Sequence, residues 1–144
     1  MIRRGTARLC AELGWAVVHE MGLPDGRRAD IMALRPTGGL VCIEIKSGEM
    51  DFRLDAKWQA YRAFCDGLYF AVDADFPQAI LPPDVGLIVA EETACVIRDA
   101  VEHRLAPATR RVLTLQFARL AAQRLWALQD PAGAAALQAA LRVE

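Results

Sequence analysis

Arg27-Arg28-Ala29-Asp30-Ile31-Met32-Ala33-Leu34 and Leu40-Val41-Cys42-Ile43-Glu44-Ile45-Lys46 are the two arms of the stretch whose reading decides the fold. Both are short and rich in apolar residues. Turn residues bound them, Pro24-Asp25-Gly26 before the first arm and Pro36-Thr37-Gly38-Gly39 between the two, so Ala29–Leu34 and Leu40–Lys46 read as the strands of a hairpin. With the hairpin centred near Thr37, Leu34 faces Leu40, Met32 faces Cys42 and Asp30 faces Glu44. Side chains alternate between the faces of a strand. One face therefore carries Arg28, Asp30, Glu44 and Lys46, and the other carries Ala29, Ile31, Ala33, Val41, Ile43 and Ile45, which must be core. A slip of one residue would drive the charged set into that core, so burial selects the register.

Opposed residues on paired strands hold their Cβ atoms ~4.5–5.5 Å apart. Two ionised carboxylates at that distance repel by roughly 3 kcal/mol at an effective dielectric near 20. Two compensators are open. Lys46 and Arg28 can neutralise Asp30 and Glu44 as a salt-bridge cluster. Alternatively, a divalent cation can sit between the carboxylates, because hard cations take oxygen ligands; the carbonyl of Ile45 then points to the same ion and Lys46 projects beside it. That second arrangement suits phosphodiester hydrolysis, with the lysine orienting a water or stabilising the pentacovalent phosphorus. Lys46 is one of only two lysines among 17 basic residues, and a compact point charge differs chemically from the arginine fork used elsewhere in the chain.

Outward from the hairpin, residues 2–13 read as a helix ended by Gly14, and Trp15–His19 as a β-branched strand. After the hairpin, Leu54–Phe64 is expected to be helical. Gly67–Val72 reads as a buried strand, the region of Pro77, Pro82 and Pro83 as a loop around a short helical turn, and Gly86–Ala90 and Ala94–Ile97 as strands. A helix runs from Pro107 to about Gln129, with Leu113, Phe117, Leu120 and Leu128 on its packing face, and an Ala-rich helix follows Asp130-Pro131. The expectation is one α/β domain over residues 1–144 with a central mixed sheet flanked by helices, residues 109–144 forming a helical part packed on it.

Composition narrows the class. With 54% hydrophobic and 24% charged residues the chain is globular. No stretch approaches the ~18 apolar residues of a membrane span, and the N-terminal Met1-Ile2-Arg3-Arg4-Gly5 has no apolar run behind it, so a cytoplasmic protein is expected. Cys10, Cys42, Cys65 and Cys95 are far apart among apolar neighbours and read as buried free thiols. His19 and His103 have no partner at zinc-ligand spacing. The net charge is only −1, but Arg3, Arg4 and Arg8 crowd one end, and Arg104, Arg110, Arg111, Arg119 and Arg124 fill residues 103–129 without an acid. Such ends can bind a polyanion if they meet in space.

Arg27-Arg28-Ala29-Asp30 followed by Ile43-Glu44-Ile45-Lys46-Ser47 resembles the motif of the PD-(D/E)xK nuclease superfamily, whose core runs helix, three strands, helix, strand. The proline that usually precedes the aspartate is replaced by Ala29. Over nearly the whole chain the pattern is similar to the MmcB family of bacterial DNA-repair proteins, through Asp25–Asp30, Glu44–Ser47, Asp51-Phe52-Arg53 with Asp55 and Lys57-Trp58, and His103–Ala108. The resemblance implies a restriction-endonuclease-like core, Asp30 and Glu44 as ligands of Mg2+ or Mn2+ with the Ile45 carbonyl, and Lys46 as the catalytic lysine. Many superfamily members add an acid; Glu12 in the first helix and Glu20 at the end of the first strand are the two candidates. The activity implied is a metal-dependent endonuclease acting on damaged, branched or single-stranded DNA. A catalytically silent DNA-binding protein or an adaptor for other repair proteins is the alternative. The resolvase likeness admits a homodimer, although nothing in the chain marks its interface.

Further expectations concern the surroundings of the motif. Asp51 fits a first-turn acid, or a contact that orients Lys46. Trp58 and Tyr61 share a helix face and read as core or near-core, with the Tyr61 hydroxyl able to reach a phosphate. Arg28, Arg110 and Arg111 are the expected DNA contacts, the last two on a backbone track if that surface borders the acidic site.

Overall fold

In the computed structural model, which describes residues 1–142, the chain forms a six-stranded mixed sheet in the order β1-β2-β3-β4-β5-β6. The strands are β1 (Ala16–Gly22), β2 (Arg28–Leu34), β3 (Leu40–Ile45), β4 (Gly67–Val72), β5 (Gly86–Ala90) and β6 (Ala94–Arg98). The first three pair antiparallel, β3-β4-β5 run parallel, and β6 returns antiparallel. The hairpin register is the expected one, with Leu34 opposite Leu40, Met32 opposite Cys42 and Ile31 opposite Ile43.

Both faces of the sheet are buried. The odd-numbered residues of the hairpin and β4, Ile31, Ala33, Val41, Ile43, Tyr69 and Ala71, pack under helix α1 (Ile2–Glu12) with Leu9 and Cys10. On the other face Met32, Leu40, Cys42, Leu68 and Phe70 pack with Trp58, Leu113 and Phe117, beneath α3 (Pro107–Gln129) and the segment after β3. The hairpin face that carries the acids is therefore apolar near the turn and charged only at its open end. Burial on both faces gives β4 its unbroken apolar character and β3 the same as far as Ile43, as expected of strands within a parallel region.

Four expectations need correction. The segment after β3 is not one helix over Leu54–Phe64: α2 spans Glu49–Leu54, the chain leaves the helical region at Asp55, and a 3₁₀ segment runs from Trp58 to Phe64. The break has a local cause, since the Asp55 carboxylate binds Lys46 and the Lys57 N–H and so competes with helix continuation. Strand β1 extends to Gly22, because β2 offers it partners as far as Arg28. Cys95 is exposed, as it lies on the edge strand β6, whereas Cys10, Cys42 and Cys65 are buried. Leu128 is 80% exposed. Only the first part of α3, to about Ala121, lies on the sheet; beyond it the helix projects, and α4 (Pro131–Arg142) packs against α3 without burying any residue.

Asp66 ties α3 to the hairpin turn. Its carboxylate accepts both Arg110 guanidinium nitrogens at 2.6 and 2.7 Å and the N–H groups of Leu40 and Leu105. Burial pushes this carboxyl up, but these four hydrogen bonds outweigh it and hold the group well below the usual carboxylate range. Arg110 also donates to the Gly38 carbonyl. Asp66→Ala leaves a half-buried guanidinium and two buried N–H groups without their acceptor, and an expected loss of about 3 kcal/mol follows, measurable by urea unfolding.

Helix α1 is seated by a close approach at Gly5, where a Cβ would run into the Glu91 carbonyl oxygen just beyond β5. The obstacle is backbone, so Gly5→Ala is expected to cost about 1–3 kcal/mol through displacement of the helix. A thermal melt of that variant checks it.

Candidate active site

At the open end of the hairpin the β2–β3 ladder stops after Ile31–Ile43. Side chains complete the pairing from there. The Asp30 N–H donates to Glu44 Oε1 at 3.1 Å, and the Ile45 N–H donates to Asp30 Oδ2 at 2.8 Å. The N–H and C=O of one residue in a strand point to the same side, so the Ile45 carbonyl faces Asp30 as well. Two carboxylates thus meet where the strands part, each accepting a backbone N–H from the other's strand.

Glu44 is 4% exposed. Burial, then the charge of Asp30, push its carboxyl up to about 8. At neutral pH it is mostly protonated, and its Oε1 lies 3.5 Å from Cys42 Sγ, which donates to it. Lys46 is 6% exposed and does not neutralise this pair. Its Nζ instead donates to Asp55 Oδ2 at 2.7 Å. Burial raises the Asp55 carboxyl, but the bonds from Lys46 and the Lys57 N–H prevail and hold it below its ordinary value. Arg28 is exposed and pairs with neither acid. Of the two compensators open to the sequence, the salt-bridge cluster is absent among the described residues.

The remaining expected residues are distributed unevenly. The Tyr61 hydroxyl donates to the Arg28 carbonyl at 3.2 Å, and burial, then the nearby Glu44, raise it well above its ordinary value. It lies beside the carboxylates. Glu20 stands across from Asp30 in the β1–β2 pairing, between the matched pairs His19–Ile31 and Met21–Ala29, but its own carboxylate is 3.8 Å from Arg3 of α1. Glu12 is exposed at the end of α1, near the turn of the hairpin where Gly14 approaches Pro36, so it is not brought to the pair. Asp51 accepts from the N–H and hydroxyl of Ser47, and it is Asp55 that holds Lys46. Sequence reasoning missed that role of Asp55; an acid just past α2, nine residues beyond the lysine, was the available signal. Arg110 is engaged by Asp66 at the turn, and Arg111 follows it there. Among the described residues no group of three or more His, Cys, Asp or Glu side chains is arranged to hold a metal ion.

The family model described as DNA repair protein MmcB-like matches residues 1–132. The chain belongs to the MmcB-like family. Among solved structures, this MmcB-like chain is similar to SPO1766, a protein of unknown function from Silicibacter pomeroyi, at 45% identity and a TM-score of 0.88, over 92% of this chain and 91% of that one. No curated protein matches. The family description places the MmcB-like chain with DNA-repair proteins, and its mixed sheet with flanking helices is compatible with a restriction-endonuclease-like core. No helix among the described residues is long and apolar enough to cross a membrane.

Proposed function

We propose that this MmcB-like protein is a divalent-metal-dependent DNA endonuclease working in repair, with Asp30, Glu44 and the Ile45 carbonyl holding Mg2+ or Mn2+. The observation that carries this reading is the Asp30–Glu44 pair, joined through the Asp30 N–H and lacking any cationic side chain, with a buried lysine next to it that is held by a different acid. Two carboxylates and a carbonyl suit Mg2+, which keeps several waters and is often bound by one or two carboxylates plus phosphate oxygens. When bound, the ion polarises a phosphoryl oxygen and lowers the pKa of a water.

The chain's own residues supply the rest. Asp55 fixes the Lys46 ammonium, so that its remaining protons are free to orient the attacking water or to meet the charge growing on phosphorus. Tyr61, whose hydroxyl bonds the Arg28 carbonyl, and the exposed Arg28 are our candidates for contacts to the phosphates on either side of the bond. Hydrolysis adds one water across one P–O bond, and the ester oxygen leaves with a proton.

A second reading, a nuclease fold that binds DNA without cutting it, draws on the absence, among the described residues, of a group of three or more His, Cys, Asp or Glu side chains arranged to hold a metal ion. A panel of labelled single-stranded, flapped, four-way and damaged duplex DNAs, incubated with Mn2+ or Mg2+, separates the two. Cutting that EDTA abolishes supports the nuclease; retention of every substrate uncut, with binding, supports the silent fold.

A further inference from the structure

The basic ends of the chain meet at the β1 edge of the sheet. Arg3 reaches Glu20 from α1, while Arg124 reaches from α3 and donates to the carbonyls of His19 and Glu20. The backbone is unusual at this point: Glu20 is the single non-glycine residue with positive φ, at 52°, among those described. Beside it a recess of about 360 Å³ is lined by Met1, Arg3, Arg4, Ala7 and His19. Arg4 is exposed and has no hydrogen bond or ion pair among the described residues. The Nδ1 atom of His19 is buried with no partner. Arg3 and Arg124 thus reach Glu20, with Arg4 lining the recess beside them, and the Arg3–Glu20 contact is long and largely solvent-exposed, so Arg3 can exchange it for a stronger anion.

The cluster lies around the β1 edge from the carboxylates, since Arg3, Arg4 and His19 are on the α1 face of the sheet and Asp30 and Glu44 on the other. Glu20 lies across from Asp30 on the neighbouring strand, and Glu44 is one strand further. Two strand spacings are roughly 10 Å, so a DNA strand crossing the β1 edge reaches from one to the other. By contrast Arg110 and Arg111 begin α3 at the hairpin turn, and 14 residues of helix, about 21 Å, separate Arg110 from Arg124.

We propose that Arg3, Arg4 and Arg124 form a phosphate track on the β1 edge that carries a DNA strand to the Asp30–Glu44 site, seating a backbone phosphate in the recess beside His19. Only the distance to the scissile bond rests on the nuclease reading; the track binds DNA whether or not the strand is cut.

The test is the salt dependence of binding to a fluorescein-labelled DNA duplex, followed by anisotropy with EDTA present. Arg3→Gln/Arg4→Gln/Arg124→Gln is expected to make the log–log slope shallower by about 2–3, and Arg4→Gln alone by about 0.9, whereas Arg104→Gln, at the hairpin turn, leaves it unchanged. A wild-type slope in the folded triple variant overturns the track, as does a loss in Arg104→Gln equal to that in Arg4→Gln. So does a wild-type protein that fails to bind. Should the triple variant not fold, exposed Arg4 decides, and an unchanged slope in Arg4→Gln rejects the proposal. A wild type that binds with the expected slopes but cuts nothing under Mn2+ leaves the track standing and removes the nuclease.

Discussion

Lys46→Ala is expected to lower metal-dependent DNA cleavage by about 10²–10³-fold, the usual loss when one preorganised charge stabiliser is removed, with DNA binding kept. The expectation follows from where the lysine is held. The residue is 6% exposed and its ammonium is fixed 2.7 Å from Asp55, next to the carboxylate pair yet not spent on it. A lysine serving only to balance Asp30 and Glu44 would be bonded to them. Lys46→Arg should not rescue activity, because a planar fork cannot take the place of a compact ammonium. Asp55→Asn keeps the lysine but loosens it, so its loss should be smaller than that of Lys46→Ala. Single-turnover rates for the three variants, with thermal melts to confirm folding, check this order.

The second large effect concerns Glu44. A carboxyl moved from 4.5 to about 8 in the folded protein corresponds to about 5 kcal/mol, at ~1.4 kcal/mol for each tenfold change. The folded value lies above the unfolded one, so the folded state holds the proton more tightly. Stability from this group is complete below pH about 4.5 and is lost as pH rises through about 8. The metal-free protein is therefore expected to lose stability between those values. A divalent cation reverses the sign at the alkaline end, since it needs the ionised carboxylate and replaces the proton. Millimolar Mn2+ should raise the melting temperature markedly at pH 8.5 and barely at pH 5, and EDTA should abolish the gain. Glu44→Gln removes the ionisation, so its melting temperature should respond to neither pH through this group nor Mn2+. Calorimetric scans from pH 5 to 9 with and without Mn2+ measure both effects.

The hairpin was legible because one register alone keeps Ile31, Ala33, Val41 and Ile43 together, and that register places Asp30 across from Glu44. Continuous apolar character made the strands after it readable, since Gly67–Val72 and Gly86–Ala90 are apolar runs between turn residues. What depended on side-chain bonds was harder. Nothing local in Leu54–Phe64 shows that Asp55 is drawn to Lys46 and breaks the helix there. Arg110 and Arg124 are alike in sequence, both arginines on one long helix, yet one is spent on Asp66 at the turn and the other reaches the β1 edge. Their separation depends on how α3 crosses the sheet, which Leu113 and Phe117 fix through burial and periodicity alone does not orient. Leu128 misled for the same reason, because helical spacing cannot tell where the helix leaves the sheet.

The most direct test of the Asp30–Glu44 pair as a metal site is isothermal titration of Mn2+ into the protein at pH 7, in two buffers of different ionisation enthalpy. The pair, holding a proton on Glu44 before the ion arrives, predicts binding with release of close to one proton, and neither binding nor release in Glu44→Gln. Mn2+ binding that releases no proton, or that is unchanged in Glu44→Gln, would contradict the site.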